Sequence, residues 1–157
     1  MAEISGQLAA VGRIAIVVSR YHERVTARLL EGARRCCVEA GVADGDVDVV
    51  WVPGAFELGT AAAALARTGR YAALVALGAV VRGETPHFEY VAGAATRTLG
   101  ELAASGLLGV GFGLLTVDTL QQALDRAGGP AGNKGFEAAE AAIRTADLLR
   151  RIGGHGA

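Results

Sequence analysis

The chain has 157 residues and a formal net charge of −1, from 15 basic and 16 acidic side chains. Its arginines are spread along the sequence, so no basic patch is predicted that would hold a nucleic-acid backbone. Hydrophobic residues make up 52% of the chain and charged residues 20%, with a mean hydropathy of +0.36. This is apolar for one small domain, and we expect part of the apolar surface to contact another subunit.

The same sequence argues against a membrane or secreted protein. The longest unbroken apolar run, residues 71–81, stops at Arg82, short of the ~20 residues that a membrane-spanning helix needs. Residues 1–13, MAEISGQLAAVGR, lack the cationic start, long apolar stretch and cleavage site of a secretory signal, so we predict a cytoplasmic protein. Cys36 and Cys37 are adjacent in a predicted helix, where a disulfide between them would be strained, and we expect them to be packing residues.

Hydrophobic patterning predicts strands that alternate with helices along the chain. Residues 13–19, RIAIVVS, are apolar on both faces of a strand, as in a parallel strand covered on both sides. Helical spacing then runs over about residues 23–40 and ends at Gly41, in the manner of a C-terminal glycine. Further strands are predicted at residues 47–52, 73–81 and 108–116, and further helices at about residues 56–67, 87–104, 119–127 and 135–152.

This alternation indicates an α/β fold, a three-layer α/β/α sandwich with a central four-stranded parallel sheet. Because no linker-like stretch divides the chain, we predict one domain over residues 1–157, with an N-terminal arm at 1–12 and a flexible tail at 153–157. Either Asp118 or Thr119 is expected to cap the fourth helix, since a glutamine lies three positions on from each, as a capping box requires.

The residues with chemical potential follow the strands. In such a sheet, ligands bind beyond the carboxyl ends of the strands, where helix N-termini offer unpaired N–H groups. The most informative segment is RGETPHF, residues 82–88, because Gly83 permits close backbone approach and Pro86 suits the start of a helix whose amides could hold a phosphate. The segment predicts an anion site. His87 lies just inside this helix and is a candidate for proton transfer, with a capping or half-buried structural role as the alternative.

Other candidates lie after strands one and two and near the last helix. Glu57 could bind a polyol or a second proton-transfer partner, or simply favour its helix N-terminus. Tyr21 and Phe56 could provide a flat face for a heterocycle, or pack against the protein. Arg126 and Lys134 bracket the loop RAGGPAGNKG and could both face an anion, with solvated surface charges as the alternative.

The sequence offers little support for a metal or a nucleotide. The three histidines, His22, His87 and His155, lie far apart, so no histidine and cysteine cluster of metal-ligand spacing is present. Neither GxGxxG nor GxxxxGK[ST] occurs. Phosphate binding, an aromatic platform and proton transfer remain as the predicted chemistry.

Three stretches resemble the signature regions of lumazine synthases, in the order and spacing of that family: VPGAFELG, LGAVVRGETPHFEYV and FGLLTVDTLQQALDRAGGPAGNKGFEAA. The similarity covers about residues 13–149. It implies a flavodoxin-like fold and the condensation of 5-amino-6-(D-ribitylamino)uracil with 3,4-dihydroxy-2-butanone 4-phosphate to 6,7-dimethyl-8-ribityllumazine, phosphate and water. It implies no cofactor and no metal, and small molecules as the substrates.

The resemblance also implies roles for the residues that bind the pyrimidine and its side chain. Tyr21 would stack on the uracil ring, and Val80 and Val81 would border it. The ribityl chain would be bound by Ala55, Phe56 and Glu57. This sequence departs from the family at two of these places: Tyr21 carries a hydroxyl where phenylalanine or tryptophan is usual, and His22 stands where asparagine is often found.

For the second substrate, the resemblance implies a phosphate site with Arg126 as its cationic partner and His87 as the proton-transfer residue. The phosphate would be held by Gly83, Glu84 and Thr85. Phe112 and Lys134 would reach the site from a neighbouring subunit, which also accounts for the surplus apolar surface.

Family members form pentamers, and in many cases twelve pentamers make an icosahedral shell of sixty subunits. The short loop GGPAGNKG favours the shell, whereas Pro130 stands where shell-forming members often have lysine. Two rival functions are an archaeal-type riboflavin synthase and a non-catalytic protein that binds flavin or lumazine or builds a shell. RGETPHF and GNKG argue against the first, and the presence of His87, Arg126 and Lys134 together argues against the second.

Overall fold

The computed structural model describes residues 1–155 and contains the predicted alternation of strands and helices. The strands of the main sheet are β1 (Ile14–Ser19), β2 (Val47–Val52), β3 (Ala73–Val81) and β4 (Gly109–Val117). The helices are α1 (Glu23–Glu39), α2 (Leu58–Arg67), α3 (His87–Ala104), α4 (Leu120–Asp125) and α5 (Lys134–His155). Smaller elements are two 3-10 turns, Asp44–Asp46 and Ala55–Glu57, and an antiparallel pair, β5 (Ala127–Gly129) and β6 (Gly132–Asn133).

The main sheet is parallel throughout, with the strand order β2-β1-β3-β4. This order matches the first four strands of the flavodoxin-like arrangement. Successive strands are joined through helices that cover both faces of the sheet, as parallel pairing requires. The predicted three-layer α/β/α sandwich with a central four-stranded parallel sheet is therefore confirmed.

The core lies on both faces of β1, whose six residues are all buried. Ile14, Ile16 and Val18 point to one face, where they pack with α1 and α5. Ala15 and Val17 point to the other face and pack with α2 and α3. Burying an aliphatic side chain of this kind contributes on the order of 1.5–3 kcal/mol to folding, so both layers of helices are needed to cover the strand.

Two glycines of β4 allow α5 to lie directly on the sheet. A Cβ at Gly109 would be 2.1 Å from the carbonyl oxygen of Ala142, and a Cβ at Gly111 would be 2.0 Å from that of Ala138. Both distances are too short for any side chain. Glycine at both positions is therefore a condition for the contact between β4 and α5.

The ends of several elements differ from the predicted ones. Helix α2 begins at Leu58, because residues 55–57 form a 3-10 turn in which the Glu57 N–H donates to the Gly54 carbonyl over 3.2 Å. Strand β4 runs one residue later than predicted. Thr119 is the cap of α4, and its side chain forms the predicted capping box with Gln122. Gly41 follows α1 with a φ of 84°, as predicted for a C-terminal glycine.

Helix α5 is longer than predicted at both ends. Its start is capped by Asn133, whose side-chain oxygen accepts the N–H groups of Gly135 and Phe136 over 2.8 and 3.1 Å. At the other end the helix continues to His155, through three of the five residues assigned to a flexible tail, since the helical backbone passes through its two glycines. Residues 156 and 157 lie outside the described residues, and the flexibility of the tail stays a prediction.

The N-terminal segment is attached to α5 by a buried carboxylate. The Gln7 N–H donates to Asp147 over 2.8 Å, and Arg150 and Arg151 donate to the same carboxylate from the next turn of the helix. These donors hold the pKa of Asp147 well below its usual range, although its burial acts in the opposite direction. Leu8 of this segment also packs against the core.

The two cysteines are buried in the core, in agreement with the predicted packing role. Cys36 and Cys37 are buried free thiols, and burial raises the pKa of Cys36 to about 12. Both thiols are therefore protonated at neutral pH.

Within residues 1–155, no helix combines the length and the hydropathy needed to cross a membrane.

The substitution Gly111→Ala should lower the free energy of unfolding by about 1–3 kcal/mol, because the new methyl group forces β4 and α5 apart. Gly100→Ala, in α3, is the matched control: a Cβ there meets no described atom within 4 Å. This control should be neutral or stabilising by up to roughly 1 kcal/mol, since alanine is the better helix former. Urea unfolding measures both, and a Gly111→Ala variant as stable as the parent would contradict the close packing.

Candidate active site

The carboxyl ends of β1, β2 and β3 open into a cavity of about 860 Å³, which we call the main cavity. Its volume is typical of a site for a small organic molecule. The cavity is lined by the loops after these strands, by the last residues of β3 and by the beginning of α3. Parallel pairing brings the three loops together, because it places all the strand ends at one edge of the sheet.

The loops after β1 and β2 supply aromatic rings to this cavity. Tyr21 and Phe56 are 68% and 63% exposed, so their faces are free for a ligand. The Tyr21 N–H donates to the carbonyl of Pro53 over 3.0 Å, which ties the two loops together. The two exposed rings therefore belong to one connected wall.

His22 also lines the main cavity and was not predicted as a site residue. Its ring lies 4.7 Å from that of Tyr21, at an interplanar angle of 76°. His22 has a φ of 59°, a left-handed conformation in which histidine occurs more often than most residues. Burial lowers its pKa, so the imidazole is neutral at pH 7. The departure of this position from the family's usual residue was the available signal for its place in the site.

Glu57 places a carboxylate against the main cavity from the 3-10 turn after β2. A Cβ at Gly54 would lie 3.4 Å from a carboxylate oxygen of Glu57, so the side chain folds back over that glycine. Within the described part of the chain, the Glu57 carboxylate has no hydrogen-bond partner. It can therefore accept hydrogen bonds from the hydroxyl groups of a ligand.

The segment from Gly83 to His87 forms the wall below β3, and both ends of this segment line the cavity. Its residues are solvent-exposed, and Pro86 immediately precedes α3. Over the described residues, no side chain caps this helix; the Glu89 N–H donates to the Pro86 carbonyl over 3.0 Å, and the N–H groups of His87 and Phe88 are available to an anion. His87 is the first residue of α3 and lines the main cavity together with the aromatic side chains of the other two loops.

Glu84 is the one predicted residue of this segment that does not line the main cavity, although Gly83 and Thr85 on either side do. Conversely, Tyr90 and Val91 line the cavity and were not predicted. They lie three and four residues after His87 in the same helix, and side chains at this spacing share one helix face, so this spacing could have predicted them. The other residues predicted for this edge of the sheet all line the cavity: Tyr21, Ala55, Phe56, Glu57, Val80, Val81 and His87.

The remaining predicted residues lie in a second cavity, of about 260 Å³, along β4. Phe112, Arg126 and Lys134 line this β4 cavity. Phe112 is 49% exposed, Lys134 pairs with Glu137 at 3.2 Å, and Arg126 donates to the carbonyl of Gln122 over 3.0 Å. Within residues 1–155, Arg126 has no acidic partner.

This arrangement divides the predicted phosphate site. Gly83 and Thr85 line the main cavity, whereas Arg126, their expected cationic partner, lines the β4 cavity with Phe112 and Lys134. One chain thus groups Arg126 with the two residues that the family resemblance assigns to a neighbouring subunit. This grouping could not be predicted from sequence spacing, because the position of Arg126 depends on the path of α4 and of the β5–β6 pair.

The main cavity brings together flat aromatic faces, a free carboxylate, available amides and a histidine. Among the side chains that the structure describes, no three of histidine, cysteine, aspartate or glutamate are grouped so that they could hold a metal ion. Proton transfer and the binding of an anion are what these groups can perform by themselves.

Comparison with known proteins agrees with this chemistry. The family model described as 6,7-dimethyl-8-ribityllumazine synthase matches residues 12–150. A 6,7-dimethyl-8-ribityllumazine synthase from Anaeromyxobacter sp. (strain Fw109-5) is 52% identical over 146 residues, which cover 92% of this chain and 90% of the relative. Together with the α/β fold, these matches define the class of the protein, a transferase that acts on small molecules. The chain belongs to the 6,7-dimethyl-8-ribityllumazine synthase family, and its function is that of a lumazine synthase of riboflavin biosynthesis.

Proposed function

We propose that the main cavity binds 5-amino-6-(D-ribitylamino)uracil and that its condensation with 3,4-dihydroxy-2-butanone 4-phosphate takes place beside His87. The observation that carries this proposal is the meeting of an aromatic wall, a free carboxylate and a segment of available amides in one cavity. Each of these groups matches one part of the two substrates. The site therefore holds both reactants and supplies a group for proton transfer between them.

The pyrimidine ring stacks on Tyr21, the most exposed ring at the end of β1. Val80 and Val81, at the end of β3, border the pyrimidine ring. Stacking on an aromatic face suits a flat heterocycle, because the contact buries both faces. His22 stands nearly perpendicular to Tyr21, so a ring stacked parallel to Tyr21 is also nearly perpendicular to the imidazole.

The ribityl chain lies along the loop after β2. Glu57 accepts hydrogen bonds from the ribityl hydroxyls, since its carboxylate is an acceptor with no partner among the described residues. Ala55 and Phe56 provide the apolar surface beneath the chain. Hydrogen bonds to a charged acceptor are stronger than those between neutral groups, so Glu57 fixes the orientation of this substrate.

The phosphate of the second substrate binds to the backbone of Gly83, Glu84 and Thr85, just before α3. Arg126 of a neighbouring chain neutralises it, because within one chain Arg126 lines the β4 cavity. Phe112 and Lys134 reach the site from the same neighbour. Burial between two chains strengthens the attraction between arginine and phosphate, since water is excluded.

The reaction begins when the 5-amino nitrogen attacks the ketone carbon and water leaves, which gives an imine. A proton is then removed from the carbon between the imine and the phosphate-bearing carbon. The carbon–oxygen bond to phosphate breaks, and its electron pair leaves with the phosphate. The resulting enol tautomerises, the ribityl-bearing nitrogen closes the ring, and a second water is lost. His87 transfers protons in these steps, while Arg126 and the amides stabilise the departing phosphate.

The requirement for residues of two chains implies a homo-oligomer. We propose the pentamer as the unit that completes each site, with the β4 cavity of one chain facing the main cavity of the next. Twelve such pentamers forming a shell of sixty chains is the assembly that the short GGPAGNKG loop favours. We place the enzyme in the cytoplasm.

The variant His87→Ala should reduce kcat by a factor on the order of 10²–10⁴, the usual contribution of proton transfer, with small changes in KM. Residual activity is expected because the site still holds the two reactants together. Lumazine formation followed by absorbance measures this, with Arg97→Ala, an exposed residue of α3 outside the cavity lining, as the control. An unchanged kcat for His87→Ala would remove His87 from the mechanism.

Light scattering in neutral phosphate buffer tests the assembly. The shell predicts a mass of about sixty chains, each of 16.0 kDa. A mass of about five chains would contradict the shell and leave the pentamer standing. A fully active monomer would contradict the proposal that two chains share each site.

A further inference from the structure

Arg82, the first residue after β3, makes contacts with two separate elements beside the proposed phosphate site. Its Nε donates to Asp118 over 2.9 Å, just beyond β4, and its Nη1 lies 3.5 Å from Glu89 in the first turn of α3. Its guanidinium carbon lies 4.7 Å from the centre of the Phe88 ring. The backbone of Arg82 is also fixed, because its N–H donates to the carbonyl of Val117 over 2.8 Å.

These contacts connect the two ends of the phosphate-binding segment, residues 83–87. Arg82 immediately precedes Gly83, and Phe88 and Glu89 immediately follow His87. One guanidinium thus joins the two ends of the segment and ties both to the end of β4. Over the described residues, no side-chain hydrogen bond is made from within residues 83–87, so the segment has no other polar side-chain anchor.

Asp118, the partner of Arg82 just beyond β4, is itself held in place. The Asp118 N–H donates to the side-chain oxygen of Gln122 over 2.8 Å, and Gln122 belongs to the capping box of α4. The position of Asp118 is therefore fixed by the start of a helix. A planar guanidinium suits a bridge of this kind, because it can direct its donors to two acceptors at once.

The charge of Arg82 is already compensated by Asp118 and Glu89, and this bears on its role. Phosphate would have to compete with both carboxylates for the guanidinium. In contrast, Arg126 has no acidic partner within residues 1–155. Of the two arginines, Arg126 is the one whose charge is available to an anion.

We propose that Arg82 is a positioning residue that holds the phosphate-binding segment and His87 in place, and that it is not itself a phosphate ligand. This inference rests on the proposed site. Loss of the bridge leaves the segment free to move, so the amides no longer converge on one anion. The binding of the phosphate substrate should weaken, whereas that of the uracil should not, because the uracil stacks on a different loop.

The experiment measures the inhibition constant of inorganic phosphate and the KM of both substrates for the assembled enzyme. Arg82→Gln should raise the phosphate inhibition constant and the KM for the butanone phosphate roughly tenfold, the effect expected from losing one charged hydrogen bond. The KM for the uracil should stay within about twofold. Arg82→Lys should rescue part of the loss, since lysine keeps the charge but not the fork.

A matched control is available in Arg20, which also pairs with a carboxylate and lies over an aromatic ring. Its Nη1 is 2.8 Å from Glu23, and its guanidinium carbon is 4.7 Å from the centre of the Trp51 ring. Arg20 does not line the main cavity. Arg20→Gln should therefore leave all three constants unchanged, and a change equal to that of Arg82→Gln would overturn the inference.

The variant Asp118→Asn separates the two possible roles of Arg82 by the sign of its effect. A positioning role predicts weaker phosphate binding, because the bridge loses its anchor. Tighter phosphate binding by this variant would mean that the released guanidinium is a direct ligand, and would overturn the inference.

Arg126→Ala, measured alongside, distinguishes failure of this inference from failure of the proposed site. If it weakens phosphate binding while Arg82→Gln does not, Arg82 has no positioning role and the site stands. If neither variant changes the phosphate constant, the phosphate site is wrongly assigned and the inference falls with it. Melting temperatures near that of the parent show that each variant is folded.

Discussion

The burial of β1 and β3 on both faces is the constraint from which the rest of the structure follows. Strands that are apolar on both sides must be covered by helices on both sides, and parallel pairing is the arrangement that returns the chain through those helices. Every strand then ends at the same edge of the sheet. Tyr21, Glu57 and His87 follow three of these strands, and they lie at the same edge because the strands are parallel.

The predicted site residues line two cavities, and this separation follows from the edge position of β4. This strand pairs with β3 on one side only, and Phe112 is exposed along it while Gly109 and Gly111 are covered by α5. Arg126 and Lys134 flank the same surface. In the proposed oligomer a second chain covers this surface of β4, which accounts for part of the surplus of apolar residues. The proposal of an oligomer rests on this separation of Phe112, Arg126 and Lys134 from the main cavity.

Much of the fold could be predicted from the sequence because its signals are local. The apolar run of β1, the glycine after α1 and the Thr119 capping box each involve residues that are close in the chain. The features that were missed depend on distant partners. Asn133 caps α5 from β6 while its amide donates to the carbonyl of Arg28 in α1, and no pattern near Asn133 indicates that contact.

The site shows the same contrast between local and distant determinants. Tyr21, Glu57 and His87 could be placed in one cavity because each follows a strand of a parallel sheet. The grouping of Arg126 with Phe112 and Lys134 could not, since it depends on the path of α4 and the β5–β6 pair. The bridge from Arg82 to Asp118 joins the ends of two neighbouring strands, and its partners become visible only when β3 and β4 are paired in register.

The claim that each active site draws residues from two chains is tested most directly by complementation. Chains carrying His87→Ala and chains carrying Arg126→Ala are dissociated, mixed in equal amounts and reassembled, and lumazine formation is measured at low butanone phosphate. A shared site predicts that about a quarter of all the reassembled sites regain both native residues, so activity rises well above the mean of the two variants. Activity equal to that mean would show that both residues act from the same chain and would contradict the account.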